Sequence, residues 1–100
     1  MILTALSSGS QHGYGIITDV EEISDGRVQL RPGTLYAALD RLRADELIEV
    51  EREETVDGRL RRYYRLTTAG TKRLSAEATR LQAHATAALT RLKLAGGTAT

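Results

Sequence analysis

Within seven residues stand four arginines, Arg59, Arg61, Arg62 and Arg65, interleaved with Tyr63 and Tyr64. Guanidinium forks hold phosphate oxygens well and phenol hydroxyls can donate beside them, so this run could lie along a nucleic-acid backbone. It could equally be a solvated strand whose arginines pair with Glu49, Glu51 and Glu53 opposite, and the residues alone leave both readings open. A second candidate is His12-Gly13-Tyr14, placed where a helix should begin and where free amides and the helix dipole favour an anion. Its plainer reading is that His12 caps the helix and Tyr14 packs. The third candidate runs from Arg31 to Arg43. Pro32 suits a first helical turn, and Gly33 and Thr34 leave that turn uncluttered, so its amides could approach a phosphate. Leu35, Leu39 and Leu42 recur at i, i+4 and i+7, while Tyr36 and Arg41 lie off that stripe. One face is core and the other is free to touch something, which is the pattern of a recognition helix in a winged helix-turn-helix. Tyr36 reads either as a phosphate donor or as a core residue whose hydroxyl reaches water. The DNA-contacting set expected from these stretches is His12, Gly13, Tyr14, Arg31, Gly33, Thr34, Tyr36, Arg41, Arg59, Arg61, Arg62 and Tyr64.

Other chemistries find little support. There is no recognisable nucleophile motif, no glycine-rich phosphate loop and no HExxH, so an enzyme is not expected. The chain has no cysteine and two histidines, which excludes disulfides and thiolate metal sites, and no metal or cofactor is expected. His84 reads as a polar surface residue. A formal net charge of +1 hides a segregation. Residues 45–54 carry six acids and one arginine, whereas residues 59–65 carry four arginines and no acid. No apolar run reaches the length of a membrane span, and no secretory leader or lipidation signal is present, so a cytoplasmic location without a membrane partner is expected.

These side chains need a scaffold, and the pattern supplies one. One hundred residues make one modest core, built from Leu, Ile, Val and Ala because all four aromatics are tyrosines. Residues 2–7 read as the end of a helix, stopped by Ser7-Ser8-Gly9-Ser10. A second helix is predicted from about His12 to Ile23, with Ile16, Ile17, Val20 and Ile23 as its apolar stripe and Asp25-Gly26 as its stop. Val28 to Leu30 should be extended ahead of Pro32. Leu47 to Glu54 alternates as a half-buried strand, Thr55 to Gly58 forms a turn, and Leu60 to Leu66 returns with Tyr64 and Leu66 on one face. Thr67 is a plausible cap for a helix running from Thr68 to about Leu94, with Gly70 in its first turn. Leu74, Ala78, Leu81, Ala85, Ala88 and Leu92 are spaced 4, 3, 4, 3 and 4 along it, a heptad seam widened by Leu89. Such a helix is about 40 Å long, more than the small domain before it can cover, so the seam calls for a second chain. The expected fold is mainly α with a small β-hairpin (α+β). It comprises a winged helix-turn-helix over 1–66, a dimerisation helix over 67–95 and a flexible tail at 96–100.

Taken in this order, the parts resemble the PadR family of bacterial transcriptional regulators, in its short form with a single C-terminal helix. Three stretches between about residues 2 and 75 carry the resemblance. They are Gly13-Tyr14 after His12, Pro32-Gly33-Thr34-Leu35-Tyr36 with Leu39 and Leu42 beyond, and Gly58 to Thr67 leading to Ala69-Gly70. The resemblance implies a homodimer that binds double-stranded promoter DNA, usually as a repressor and often released by a small-molecule effector. It also implies roles for His12, Gly13 and Tyr14 at the start of the positioning helix, Thr34 and Tyr36 on the recognition helix, and Arg59, Arg61 and Arg62 on the wing. Two positions depart from the family pattern: Arg31 stands where a serine-like cap is common, and Glu46 where glycine is common. The long helix holds no Trp, Tyr or Phe, so it cannot supply the aromatic stacking used by some multidrug-binding relatives. The rival from another class is a winged-helix protein–protein interaction module, which the acidic outgoing strand keeps open.

Overall fold

The computed structural model describes residues 1–96. In chain order it comprises α1 (Ile2–Leu6), α2 (Gly13–Ile23), α3 (Pro32–Ala44), β1 (Ile48–Val56), β2 (Arg59–Leu66) and α4 (Thr68–Gly96). The three short helices and the base of the hairpin close on one core of Ala5, Leu6, Ile16, Val20, Leu35, Leu39, Ile48 and Tyr64. Ile16, Val20, Leu35 and Leu39 are the largest fully buried side chains, and burial of each stabilises the fold by about 1.5–3 kcal/mol. Ile17 packs against this core as its period predicts, but Ile23, expected on the same stripe, is exposed in the last turn where the chain leaves α2.

The two strands pair antiparallel around a two-residue turn, Asp57-Gly58, with φ of +51° and +77°. Positive φ at both central residues matches the right-handed twist of the strands, so each strand runs closer to the turn than its hydrophobic pattern suggests. Val50 faces Tyr64 and Arg52 faces Tyr63, leaving Glu51 as an unopposed bulge residue. This bulge ends the alternation expected from Leu47 to Glu54: Ile48 is buried and Val50 half-buried, but the next five residues are exposed. Gln11 adds a short third pairing, its N–H donating to the Tyr64 carbonyl at 3.0 Å and its carbonyl accepting from the Tyr64 N–H at 2.9 Å. Its side-chain amide reaches Ala5 O and Asp19 Oδ2, both at 2.8 Å, which ties the start of α2 to α1 and to the hairpin.

Glu46 adopts φ +59°, the left-handed conformation that glycine takes at lower cost. The Leu47 N–H then reaches back to the Leu42 carbonyl at 3.0 Å and closes the end of α3. The Thr67 hydroxyl accepts from the Gly70 N–H at 3.0 Å, capping α4 as expected, and donates to the Glu46 carbonyl at 2.6 Å. Gly70 allows the two elements to touch, because a Cβ there would stand 1.9 Å from the Leu47 carbonyl oxygen. Beyond this junction α4 leaves the body. Leu74 and Glu77 are half-buried, and every residue from Ala78 to Gly96 is exposed. The molecule measures 60 × 27 × 21 Å. Of the tail expected at 96–100, Gly96 closes α4 and the remainder lies outside the described residues.

Candidate nucleic-acid interface

A cleft of about 460 Å³ opens between the start of α2, the side of α3 and the hairpin, lined by His12, Gly13, Tyr14, Tyr36, Arg59, Leu60, Arg61 and Arg62 among others. Seven residues expected to touch DNA thus come together from three separate stretches. His12 caps α2: its Nδ1 accepts from the Gly15 N–H at 3.4 Å, which leaves the proton of the neutral ring on Nε2. Its ring meets Tyr63 edge-on at 5.4 Å. Burial, and secondarily the Arg61 charge, hold the imidazole below its usual value, so the neutral capping form is favoured. Gly13 is buried because a Cβ would lie 2.7 Å from the Tyr36 hydroxyl, so its lack of a side chain lets α3 approach α2. Tyr14 and Tyr36 remain 69% and 49% exposed beside it. A smaller hollow of about 60 Å³ shares Gly13, Tyr14 and Tyr36 and brings in Pro32, so the amino end of α3 opens beside the cleft.

The hairpin register decides which arginines are available. Arg62 Nε lies 3.1 Å from Glu53, Arg65 Nε lies 2.8 Å from Glu49, and Arg65 also approaches Glu51 at 3.8 Å. Hydrogen bonding to Glu53, and then to Tyr64, raises the Arg62 pKa above its usual value. Arg61 faces Glu54, but that carboxylate is held by Arg52 at 2.8 Å, a bond that also lowers the Glu54 pKa. Arg59 faces Val56. Among the described residues Arg59 and Arg61 make no ion pair, so the two wing cations nearest the turn are the ones left for an external anion. The solvated-strand reading therefore holds for Arg62 and Arg65, and the phosphate reading stays open for Arg59 and Arg61.

Two expected contacts are misplaced. Tyr64 is only 3% exposed, because it sits at the Gln11 pairing with its ring in the core, and is removed from any DNA surface. Arg41 lies in a different groove, with Met1, Ile2, Leu3, Leu42 and Glu77, since five residues of helix turn it well away from Tyr36. Arg31, Gly33 and Thr34 are exposed at the amino end of α3 without lining the cleft. Arg31 makes no side-chain capping bond. Three contributors are absent from the expected set. Leu60 is 61% exposed between Arg59 and Arg61 and lines the cleft. Arg52 stacks 3.9 Å over Tyr63, and Gln11 anchors the hairpin. The Asp-Gly turn carried a usable signal: a two-residue turn at 57–58 fixes the pairs Glu53 with Arg62 and Glu54 with Arg61.

Residues 2–76 match the Transcriptional regulator PadR-like family. A transcriptional regulator of Mycobacterium tuberculosis is 42% identical over 69 residues, covering 69% of this chain and 61% of its own length. A PadR-like transcriptional regulator from Bacillus cereus superposes with a TM-score of 0.75 at 25% identity, over 92% of this chain and 87% of that one. Bacillus subtilis PadR, solved in complex with operator DNA, shares the fold with a TM-score of 0.68 at 23% identity, over 77% of this chain and 44% of that one. The fold is thus shared with known regulators, and the chain belongs to the PadR-like family of transcriptional regulators.

Proposed function

We propose that the protein is a homodimeric repressor that binds a pseudo-palindromic promoter site. The observation that carries this reading is the convergence of His12, Tyr14, Tyr36, Arg59 and Arg61 on one cleft beside the exposed amino end of α3. In the dimer, two α3 helices about 34–36 Å apart enter successive major grooves on one face of the duplex. Arg59 and Arg61 add sequence-independent attraction to phosphate, and the neutral His12 ring presents its Nε2–H as a further donor. The acids of β1, which kept an interaction-module reading open, are largely taken up by Arg52, Arg62 and Arg65, and that favours DNA. The operator complex of the Bacillus subtilis relative supports the same assignment. A small-molecule effector releases such a dimer by binding better to a form with mis-spaced recognition helices, and it shifts the equilibrium only by that difference in affinity.

The test is selection of bound duplexes from sheared genomic DNA at near-physiological salt. Recovery of a two-fold-symmetric site with half-sites about one helical turn apart is expected. Recovery of nothing above background, with the protein folded and dimeric, would remove the DNA reading in favour of the interaction module.

A further inference from the structure

Glu54 has two arginines as neighbours, and which of them takes it decides what the wing can offer to a phosphate. Arg52 and Glu54 lie two residues apart on one face of β1, and their cross-strand partners are Tyr63 and Arg61 respectively. Pairing of opposite charges across the strands would put Glu54 on Arg61. The structure puts it on Arg52 instead, whose Nε lies 2.8 Å from the Glu54 carboxylate. Hydrogen bonding to Arg52 is the main reason that the Glu54 pKa is lowered; the Arg52 charge and hydrogen bonding to Tyr63 add to it, and the Arg61 charge contributes least.

Three further contacts hold Arg52 in that place. Its guanidinium stacks 3.9 Å over the Tyr63 ring, and its Nη1 pairs with Glu51, the bulge residue. The same Nη1 donates to the Ser10 hydroxyl at 3.4 Å, and that hydroxyl donates to Glu51 at 3.0 Å. Arg52 is thereby fixed between the hairpin and the segment that leads into α2. Arg61 is placed differently. Among the described residues it makes no ion pair, it lines the cleft, and its charge, after burial, is what depresses the His12 pKa. One carboxylate and two guanidinium groups thus divide so that the unpaired cation is the one on the cleft.

We propose that Arg52 is a positioning residue for DNA binding: anchored on Tyr63, Glu51 and Ser10, it clamps Glu54, keeps that carboxylate from Arg61 and leaves Arg61 free to meet a phosphate. The inference rests on the DNA-binding reading. It gives Arg52 an effect on affinity without a contact of its own to the duplex. That effect runs through charge placement rather than through folding, since exposed pairs of this kind add little to stability.

Arg52→Met keeps an unbranched stem beside the Tyr63 ring and removes the charge, so Glu54 is released to Arg61. Affinity for the duplex recovered by genomic selection should fall about 2- to 5-fold, and the slope of log affinity against log salt should fall by about 1 for each wing. Adding Glu54→Gln to Arg52→Met restores the original net charge and removes the carboxylate that captures Arg61, so both quantities should return. A slope still reduced in the double variant would mean that Arg52 itself touches phosphate, and would overturn the proposal. So would an Arg52→Met protein with affinity and slope unchanged. NMR titration of the Glu54 carboxyl, without DNA, separates the clamp from the DNA reading. Arg61→Ala should barely move the Glu54 pKa in the otherwise unaltered protein and should raise it in the Arg52→Met background, where Arg61 has become the partner. An equal response in both backgrounds would overturn the clamp. The expected titration in protein that selects no duplex would overturn the role in DNA binding while leaving the clamp in place.

Discussion

The winged-helix body and the distal part of α4 are built on opposite terms. In the body, Leu35 and Leu39 are sealed within one protomer, the helix ends are closed by Thr67, His12 and Glu46, and two glycines permit contacts that a methyl group would block. From Ala78 onward α4 has the same kind of apolar period, yet Leu81 and Leu89 are 60% and 67% exposed. A stripe of leucines therefore does not report where it is buried. The body is finished by its own chain, whereas the helix presents a finished pattern with nothing of its own to pack against.

The closed junction between α4 and the body should respond most strongly to substitution. Gly70→Val drives a side chain into the Leu47 carbonyl and should cost about 3 kcal/mol or more, enough to unfold much of the population in a urea titration. Gly33→Ala, with nothing within 4 Å of the added carbon, should instead be neutral or raise the midpoint slightly. Equal losses from both would mean that the close approach is not what holds α4 to the body.

Next is the open half. Leu81→Glu should leave the thermal unfolding of the body nearly unchanged while converting the protein to monomers and abolishing operator binding. A dimer that persists in sedimentation would sink the assignment of α4 as the interface.

Within the body, the hairpin offers a smaller contrast. Replacing Arg59 and Arg61 by alanine should reduce the slope of log affinity against log salt by about 2. Replacing Arg62 and Arg65, which already face Glu53 and Glu49, should change it less. Equal slopes for the two double variants would mean that the strand ion pairs open when DNA binds.

The smallest effect concerns His12. Its pKa in the folded protein lies below the ordinary value of about 6.5, so on acidification the unfolded chain takes up the proton first. Stability should therefore be full above that value and decline as the pH falls through it toward the lowered folded value. His12→Asn, which keeps a capping side chain without titrating, should flatten this dependence, and an unchanged pH profile would assign the acid sensitivity elsewhere.

Much of this was legible because it depends on neighbours in sequence. The period of Leu35, Leu39 and Leu42, the Asp57-Gly58 turn, the Thr67 cap and the length of α4 follow from local geometry, and the structure has all of them. Tyr64 was misplaced although its alternation with Leu66 already put it on the apolar face of β2, because the density of arginines around it was read as one surface. The bulge at Glu51 and the Gln11 pairing turn one ring into the core and leave the other beside His12. Arg41 was misplaced because being off the apolar stripe allows two sides of a helix, and only the packing of α1 and α4 shows which side faces the cleft.

Periodicity, capping and turn chemistry act within a few residues, so the elements, their order and the residues able to hold an anion could be read along the chain. Which of those residues share a surface was settled by the folded packing alone. That choice turned on contacts between distant segments: Glu53 with Arg62, Gly13 against Tyr36 and Gly70 against Leu47. A local pattern cannot specify such pairings, because they exist only once the chain has closed on itself.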